Sequence, residues 1–189
     1  IAVSIFAVLV MGTAELVITL FKNPKAELSV MDNIDKARFV ASTFNNEIRA
    51  AAYGSFPLVT PGDSTIVFHT TVGATSGTIN RVRYYLQDGI LYKGVTPPTS
   101  GTYNPANEVI TEALSGVTNG TTPVFYYYNG NYDGNDTNNP PLAQPVNVND
   151  VRFVKINLMV SNGANAQDTT SFSINTGSAI RSLKDNLGE

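Results

Sequence analysis

The chain has 189 residues, of which 42% are apolar and only 14% are charged, so one domain with a substantial core is expected. A net charge of −3 gives no broad basic field, which argues against nucleic acid as the main partner. The absence of cysteine excludes disulfide frameworks, thiol catalysis and thiolate metal sites, and the single histidine, His69, excludes multi-histidine metal sites.

Residues 1–21 form an apolar run, IAVSIFAVLVMGTAELVITLF, in which Glu15 is the only charged residue. This length matches the roughly 20 residues that cross a hydrocarbon core as a helix. The alternative, a cleaved signal peptide, would end in a small-residue cleavage site, which residues 16–21 lack. We therefore expect a membrane-inserting helix that stays attached, with Lys22 and Lys25 at the membrane boundary and Pro24 marking the helix edge or a kink.

From residue 26 the pattern becomes that of an amphipathic helix. Its apolar residues recur at spacings of three and four and form one stripe, which consists of Val30, Ile34, Ala37, Ala41, Phe44 and Ile48. We expect the helix to end near Tyr53, with Gly54 as the stop. If residues 1–53 form one rod, it is roughly 80 Å long at about 1.5 Å per residue. Its second half then packs on a domain, and its first half lies in lipid or against copies of itself.

After Gly54 the chain has the alternation and turn signals of antiparallel strands. Asp88-Gly89 is a hairpin signal between a strand over residues 79–87 and a return strand over residues 90–93. Further strands are expected over residues 65–71, 109–114, 123–128 and 151–160, and over 171–183 as one strand or a pair. The predicted fold is α+β, a long N-terminal helix packed on an antiparallel β-sheet. Its parts are an apolar first half (residues 1–25), an amphipathic second half (residues 26–54) and a β-rich head (residues 55–189).

The order of these segments resembles that of the type IV pilin and pseudopilin superfamily, whose bacterial members carry a prepilin-type N-terminal methylation segment. The resemblance extends over most of the chain, and the stretches that carry it are similar to minor pilins and pseudopilins of the J or W type. They are IAVSIFAVLVMG, MDNIDKARFVASTFNNEIRAAAYG, RVRYYLQDGILYKG, FYYYNGNYDG, VNDVRFVKINLMV and SAIRSLKDNL. The resemblance therefore implies a pilin-like fold with a transmembrane first half of the helix.

The resemblance also implies a function, that of a structural subunit of an extracellular type IV pilus-like filament, or fimbrium. N-terminal helices would bundle in its core, and the filament would serve adhesion, motility or uptake. The implied partners are copies of the chain, inner-membrane pilus assembly machinery, and lipid around a membrane-inserted precursor pool; no enzymatic activity is implied. The implied assembly residues are Ile1, Ile5, Phe6, Leu9, Gly12, Glu15, Leu16, Leu20 and Pro24. The alternatives are a minor pilin, a type II secretion pseudopilin, or a membrane-anchored β binding module that does not polymerise.

Glu15 has two interpretations, because a lone carboxylate in an apolar helix is costly and usually has a partner or a function. It either pairs with Lys22 or Lys25 of an adjacent subunit and fixes the stagger, or reaches water near the end of the apolar run.

The loop GNYDGNDTNN places oxygen ligands close together around a glycine, which suits calcium. The candidate ligands are Asp133, Asn135 and Asp136. The loop lacks the bidentate glutamate of an EF-hand, so it is not an EF-hand site. The alternative to a calcium site is a surface loop rich in Asx turns. No cofactor other than calcium is expected.

Two further features have open interpretations. The tyrosines at 126–128 and Tyr132 either form a stacking surface for sugars or single-stranded DNA, or divide between the core and a half-exposed sheet face. His69 lies in a predicted short strand, and no recognisable motif places a serine or a carboxylate near it, which favours a structural role over a catalytic one.

Overall fold

The computed structural model describes residues 31–52, 57–75, 77–161 and 171–183. In these ranges the chain forms a helix, α1, over residues 31–49, and eight strands. The strands are β1 (Leu58–Pro61), β2 (Thr65–Thr70), β3 (Asn80–Gln87), β4 (Ile90–Thr96), β5 (Val109–Leu114), β6 (Phe125–Tyr128), β7 (Phe153–Ser161) and β8 (Ser171–Ala179).

The strands form two antiparallel sheets, each a simple meander. The first sheet has the order β1-β2-β3-β4-β5 and the second the order β6-β7-β8. Backbone contacts join them: Val117 forms an antiparallel bridge with Val160, and the carbonyl oxygen of Asp63 accepts hydrogen bonds from the amides of Val124 and Phe125. The start of β6 is therefore hydrogen-bonded to the turn that links β1 to β2.

The helix α1 covers the inner faces of both sheets. The ring of Phe44 lies 6.2 Å from that of Phe68 in β2, 5.4 Å from that of Tyr84 in β3 and 5.5 Å from that of Phe125 in β6, measured between centroids. Of the predicted stripe, Ala37, Ala41, Phe44 and Ile48 are buried and Ile34 is half-buried, whereas Val30 lies outside the described residues. One apolar helix face thus forms the centre of a core shared by both sheets.

The predicted fold class is wrong. Instead of a long N-terminal helix packed on one sheet, the described residues are mostly strand, in two sheets, with a helix over residues 31–49. That helix also ends before the expected position near Gly54. Ala51 forms an antiparallel bridge with Thr70, and the amide of Ala52 donates to the carbonyl oxygen of His69, so the chain leaves the helix and pairs with the C-terminal end of β2.

The expectation of a pilin with a transmembrane helix also needs correction. Among the residues that the structure describes, no helix has the length and apolar character needed to cross a membrane, and the described chain is mainly β. The predicted assembly residues, which all lie between Ile1 and Pro24 and include Glu15, fall outside the described residues.

The predicted β-hairpin is confirmed. Asp88 and Gly89 join β3 to β4 with φ angles of 50° and 74°, the left-handed conformations that a two-residue turn between twisted strands requires. The hairpin places Tyr84 and Lys93 opposite each other, with the ring of Tyr84 against Phe44 of α1.

Candidate functional site

The outer face of the second sheet carries a cluster of aromatic and charged residues. Strand β6 alternates, so Tyr127 lies in the core, where its hydroxyl donates to the carbonyl oxygen of Gly62 at 2.8 Å. The register places Tyr128 opposite Phe153, and Tyr126 opposite Lys155 of β7. The three tyrosines therefore divide between the core and the outer face, as one of the two sequence interpretations proposed.

The polar loop after β6 folds back over this outer face. Its Tyr132 ring stacks on Tyr128, with 3.9 Å between centroids, and lies 5.0 Å from the ring of Phe153. Tyr128 is consequently 1% exposed although it belongs to the outer face, whereas Tyr132 and Phe153 stay partly exposed. The loop thus adds an aromatic layer on top of the sheet.

Gly177 of β8 makes room for the ring of Phe153. A Cβ atom at this position would lie 2.5 Å from Cε1 of Phe153 and 2.6 Å from the carbonyl oxygen of Val154, both shorter than real contacts of a Cβ atom. Because the Val154 oxygen belongs to the backbone of β7, it has little freedom to move away. Only glycine therefore allows Phe153 to lie across β8 in this way.

The centre of the cluster is an ion pair between Lys155 and Asp136. The Lys155 Nζ atom lies 2.7 Å from Oδ1 and 2.9 Å from Oδ2 of Asp136. The hydroxyls of Tyr128 and Tyr132 donate to the same Oδ1 at 3.1 and 2.8 Å. The ammonium group also lies 4.9 and 5.3 Å from the centroids of these two rings, within the range of cation–π attraction.

This environment holds each group in its ordinary charge state at neutral pH. The hydrogen bond from Lys155, helped by those from both tyrosines, lowers the pKa of Asp136. Desolvation lowers the pKa of Lys155, but its bonds with Asp136, Tyr132 and Tyr128 outweigh this effect and leave the pKa raised. Burial raises the pKa of Tyr128 to about 12. Because all three values lie far from neutrality, the cluster is suited to binding and positioning rather than to proton transfer at pH 7.

A groove of about 670 Å³ opens beside the cluster. Its walls combine two aromatic rings with polar side chains from the loop and from β8. The lining residues are Tyr132, Asp133, Gly134, Phe153, Lys155, Asn175 and Thr176. A concave surface with aromatic walls and a few polar groups has the general composition of a ligand-binding site.

The three predicted calcium ligands lie in this loop, and each has a protein partner. Oδ1 of Asp133 accepts from the amide of Asn135 at 2.9 Å, and Oδ1 of Asn135 accepts from the amide of Thr137 at 2.9 Å, as in Asx turns. The Asp136 carboxylate faces Lys155. Among the described residues, no group of three or more acidic, histidine or cysteine side chains is placed to hold a metal ion. Calcium binding stays a prediction.

A second polar cluster, which the sequence did not indicate, fixes α1 to the first sheet. Glu47 is 3% exposed and its Oε2 accepts from the hydroxyl of Tyr84 at 2.7 Å, while Oε1 pairs with Lys93. The backbone oxygen of Glu47 accepts from Oγ1 of Thr70 at 3.0 Å. Because this carboxylate is enclosed between helix and sheet, it positions α1 rather than meeting a ligand.

His69 lies in β2 of the first sheet. It is 6% exposed and its ring lies 4.8 Å from that of Tyr103. Desolvation is the largest cause of its lowered pKa, and the nearby positive charge of Arg81 adds to the effect. These surroundings agree with the structural role that the sequence favoured.

No protein-family model matches the chain, and neither does any curated protein.

Proposed function

We propose that the protein is a structural subunit of an extracellular pilus-like filament, in which the apolar N-terminal sequence is buried between subunits and the β-rich part lies at the surface. The observation that supports this proposal is the attachment of α1. The helix follows the apolar run in the sequence and is held on the β core by Phe44 and by the Glu47 cluster.

The apolar run needs a partner because water is a poor surrounding for it. Each Å² of apolar surface removed from water contributes roughly 25 cal/mol, so 21 residues with one charge favour association strongly. Copies of the chain offer the same apolar sequence, and lipid is the proposed surrounding before assembly. Inner-membrane assembly machinery completes the proposed set of partners.

The side of α1 that faces away from the core offers further contact surface. Met31 and Phe39 are 62% and 72% exposed, so both side chains are accessible to a neighbouring subunit. They lie two turns apart. In the proposed filament, neighbouring subunits cover them together with the apolar run.

Electron microscopy of material sheared from cells, with mass spectrometry of the fibres, tests the proposal. Thin filaments dominated by this chain would support it, whereas traces of the chain in fibres made of another protein would point to a minor subunit or a secretion pseudopilin. Phe6→Asp and Leu9→Asp should abolish fibres and leave the β-rich part folded, and Phe6→Leu and Leu9→Met are the matched controls. Normal fibres from the aspartate variants would contradict the assembly mechanism.

A second candidate, a surface-held binding module that does not polymerise, is favoured by the groove beside Tyr132. It predicts that the chain stays in the envelope fraction and never enters a fibre. That result would replace the filament proposal.

A further inference from the structure

The groove on the second sheet has no part in the proposed assembly. It lies on the outer face, on the side of the sheet opposite to α1, and it is formed by residues of the loop, β7 and β8. Assembly therefore does not account for the groove.

The walls of the groove are held in place before any ligand arrives. Tyr132 is fixed by its stack on Tyr128 and by its hydroxyl, which donates to Asp136. The ring of Phe153 lies against the backbone of β8 at Gly177, where any side chain would displace it. Rings that are already positioned lose little conformational entropy on binding, which favours affinity.

The charge in the groove is neutralised within the protein. Both oxygens of Asp136 contact the ammonium group of Lys155, whose side chain is 12% exposed. The groove thus offers little positive charge to a phosphate or sulfate, and the carboxylate of Asp133 on its rim repels anions. A neutral ligand fits this balance better than an anionic one.

The remaining groups suit a sugar ring. Aromatic faces carry partial negative charge and attract the slightly positive C–H groups on one side of a pyranose. The side chains of Asp133 and Asn175 supply carboxylate and amide groups at the rim, which match sugar hydroxyls as donors and acceptors. The hydroxyl of Thr176 instead faces α1, where it accepts from the side-chain amide of Asn45 at 2.8 Å. We propose that this groove binds a neutral saccharide, one ring of which packs against Tyr132 and Phe153.

Saturation-transfer NMR with the full chain tests the proposal, using maltose, cellobiose, lactose and diacetylchitobiose as probes. The chain is kept in solution with a detergent that has no sugar headgroup, so that the detergent does not compete. We expect transfer to at least one probe. Tyr132→Ala and Phe153→Ala should each weaken its binding about tenfold, which corresponds to about 1.4 kcal/mol for the loss of one stacking contact.

Three control variants separate stacking from folding. Tyr132→Phe keeps the ring and should bind nearly as well as the wild type. Tyr85→Ala removes a comparable ring, stacked on Tyr92 at 5.2 Å in the other sheet, and should have no effect. Asn175→Ala changes an exposed side chain on β8 and should weaken binding without unfolding the chain, which circular dichroism checks.

Three results would overturn the proposal. The first is the absence of saturation transfer to all four disaccharides. The second is binding that persists in both Tyr132→Ala and Phe153→Ala, or that Tyr85→Ala weakens equally. The third is much tighter binding of a sulfated disaccharide, which would make the groove an anion site.

Discussion

The buried carboxylate of Glu47 gives the sharpest test of how α1 is held on the β core. We consider Glu47→Gln, which keeps the shape of the side chain and removes its charge. The amide oxygen can still accept from Tyr84, but a neutral bond replaces a charge-assisted one, at a cost of about 1 kcal/mol. Lys93 loses its anion while its own side chain is only 22% exposed.

Loss of one partner from a fully buried ion pair costs about 3–5 kcal/mol. Because Lys93 keeps some access to water, we discount its share to about 2 kcal/mol. The substitution should therefore lower the free energy of unfolding by about 3 kcal/mol. For a chain of this size, this corresponds to a decrease in Tm of about 6–12 °C.

Thermal unfolding followed by circular dichroism measures this effect, with all variants in the same mild detergent. The matched control is Asp32→Asn on the same helix. It breaks the ion pair between Asp32 and Lys36, whose side chains are 61% and 60% exposed. Exposed pairs of this kind contribute about 0.3–0.5 kcal/mol, so Tm should fall by no more than about 2 °C.

Hydrogen exchange locates the change. In Glu47→Gln, exchange of the α1 amides should accelerate more than exchange in β7, because the lost contacts join α1 to the first sheet. A Tm for Glu47→Gln equal to that of Asp32→Asn would refute the assignment of Glu47 as the residue that fixes α1.

Three further predictions concern the core, the groove and acid stability. Phe44→Ala should lower the free energy of unfolding by about 3–5 kcal/mol in urea titrations, because it empties the centre of the shared core. Gly177→Ala should cost about 1–3 kcal/mol in the same assay, since its Cβ would lie 2.6 Å from a backbone oxygen of β7, whereas Gly130→Ala, with its nearest contact at 3.7 Å, should be nearly neutral. The hydrogen bond from Arg83 lowers the pKa of Glu108, so this carboxylate stabilises the fold above its unfolded pKa. That contribution is lost as the pH falls below about 4.3, the ordinary pKa of a glutamate, and through the lowered pKa of the folded state, so Glu108→Gln should flatten the acid side of the Tm profile.

The buried face of α1 and the β3–β4 hairpin were predicted from the sequence, because each depends on a pattern within a short stretch of residues. The spacing of Ala37, Ala41, Phe44 and Ile48 defines one helix face, and any core beneath it buries those residues. Asp88-Gly89 determines its hairpin because few residues tolerate two successive positive φ angles. In both cases the signal lies within a few residues of the structure that it predicts.

The arrangement of the strands in two sheets was not predictable in this way. Alternation identifies a strand but not the strands that it pairs with. The sequence pattern therefore did not indicate that the first sheet ends at β5 and that β6 belongs to a second sheet. The same holds for the end of α1, which depends on pairing of Ala51 with Thr70. The residue pattern itself predicted a long helix and a single sheet, the resemblance implied the same fold, and neither element agrees with the described residues.

The groove was predictable only in part. The tyrosines and the polar loop were identified, but the bond between Asp136 and Lys155 joins residues from different segments and was missed. One signal was present: Gly177 interrupts the strand SFSINTGSA, and a glycine inside a strand often marks a place where another group approaches closely.

The position of α1 explains why, on the outer face of each sheet, a side chain folds over a glycine. The helix covers only the inner faces, so each sheet has another side that must be compatible with water. On the first sheet, Glu108 folds over Gly94 and forms two hydrogen bonds with Arg83, at 2.9 and 2.6 Å. On the second, Phe153 folds over Gly177 and a polar loop covers part of the face. In each sheet a glycine lets a neighbouring side chain lie flat, and where the loop covers the second sheet only in part, its uncovered border becomes the groove.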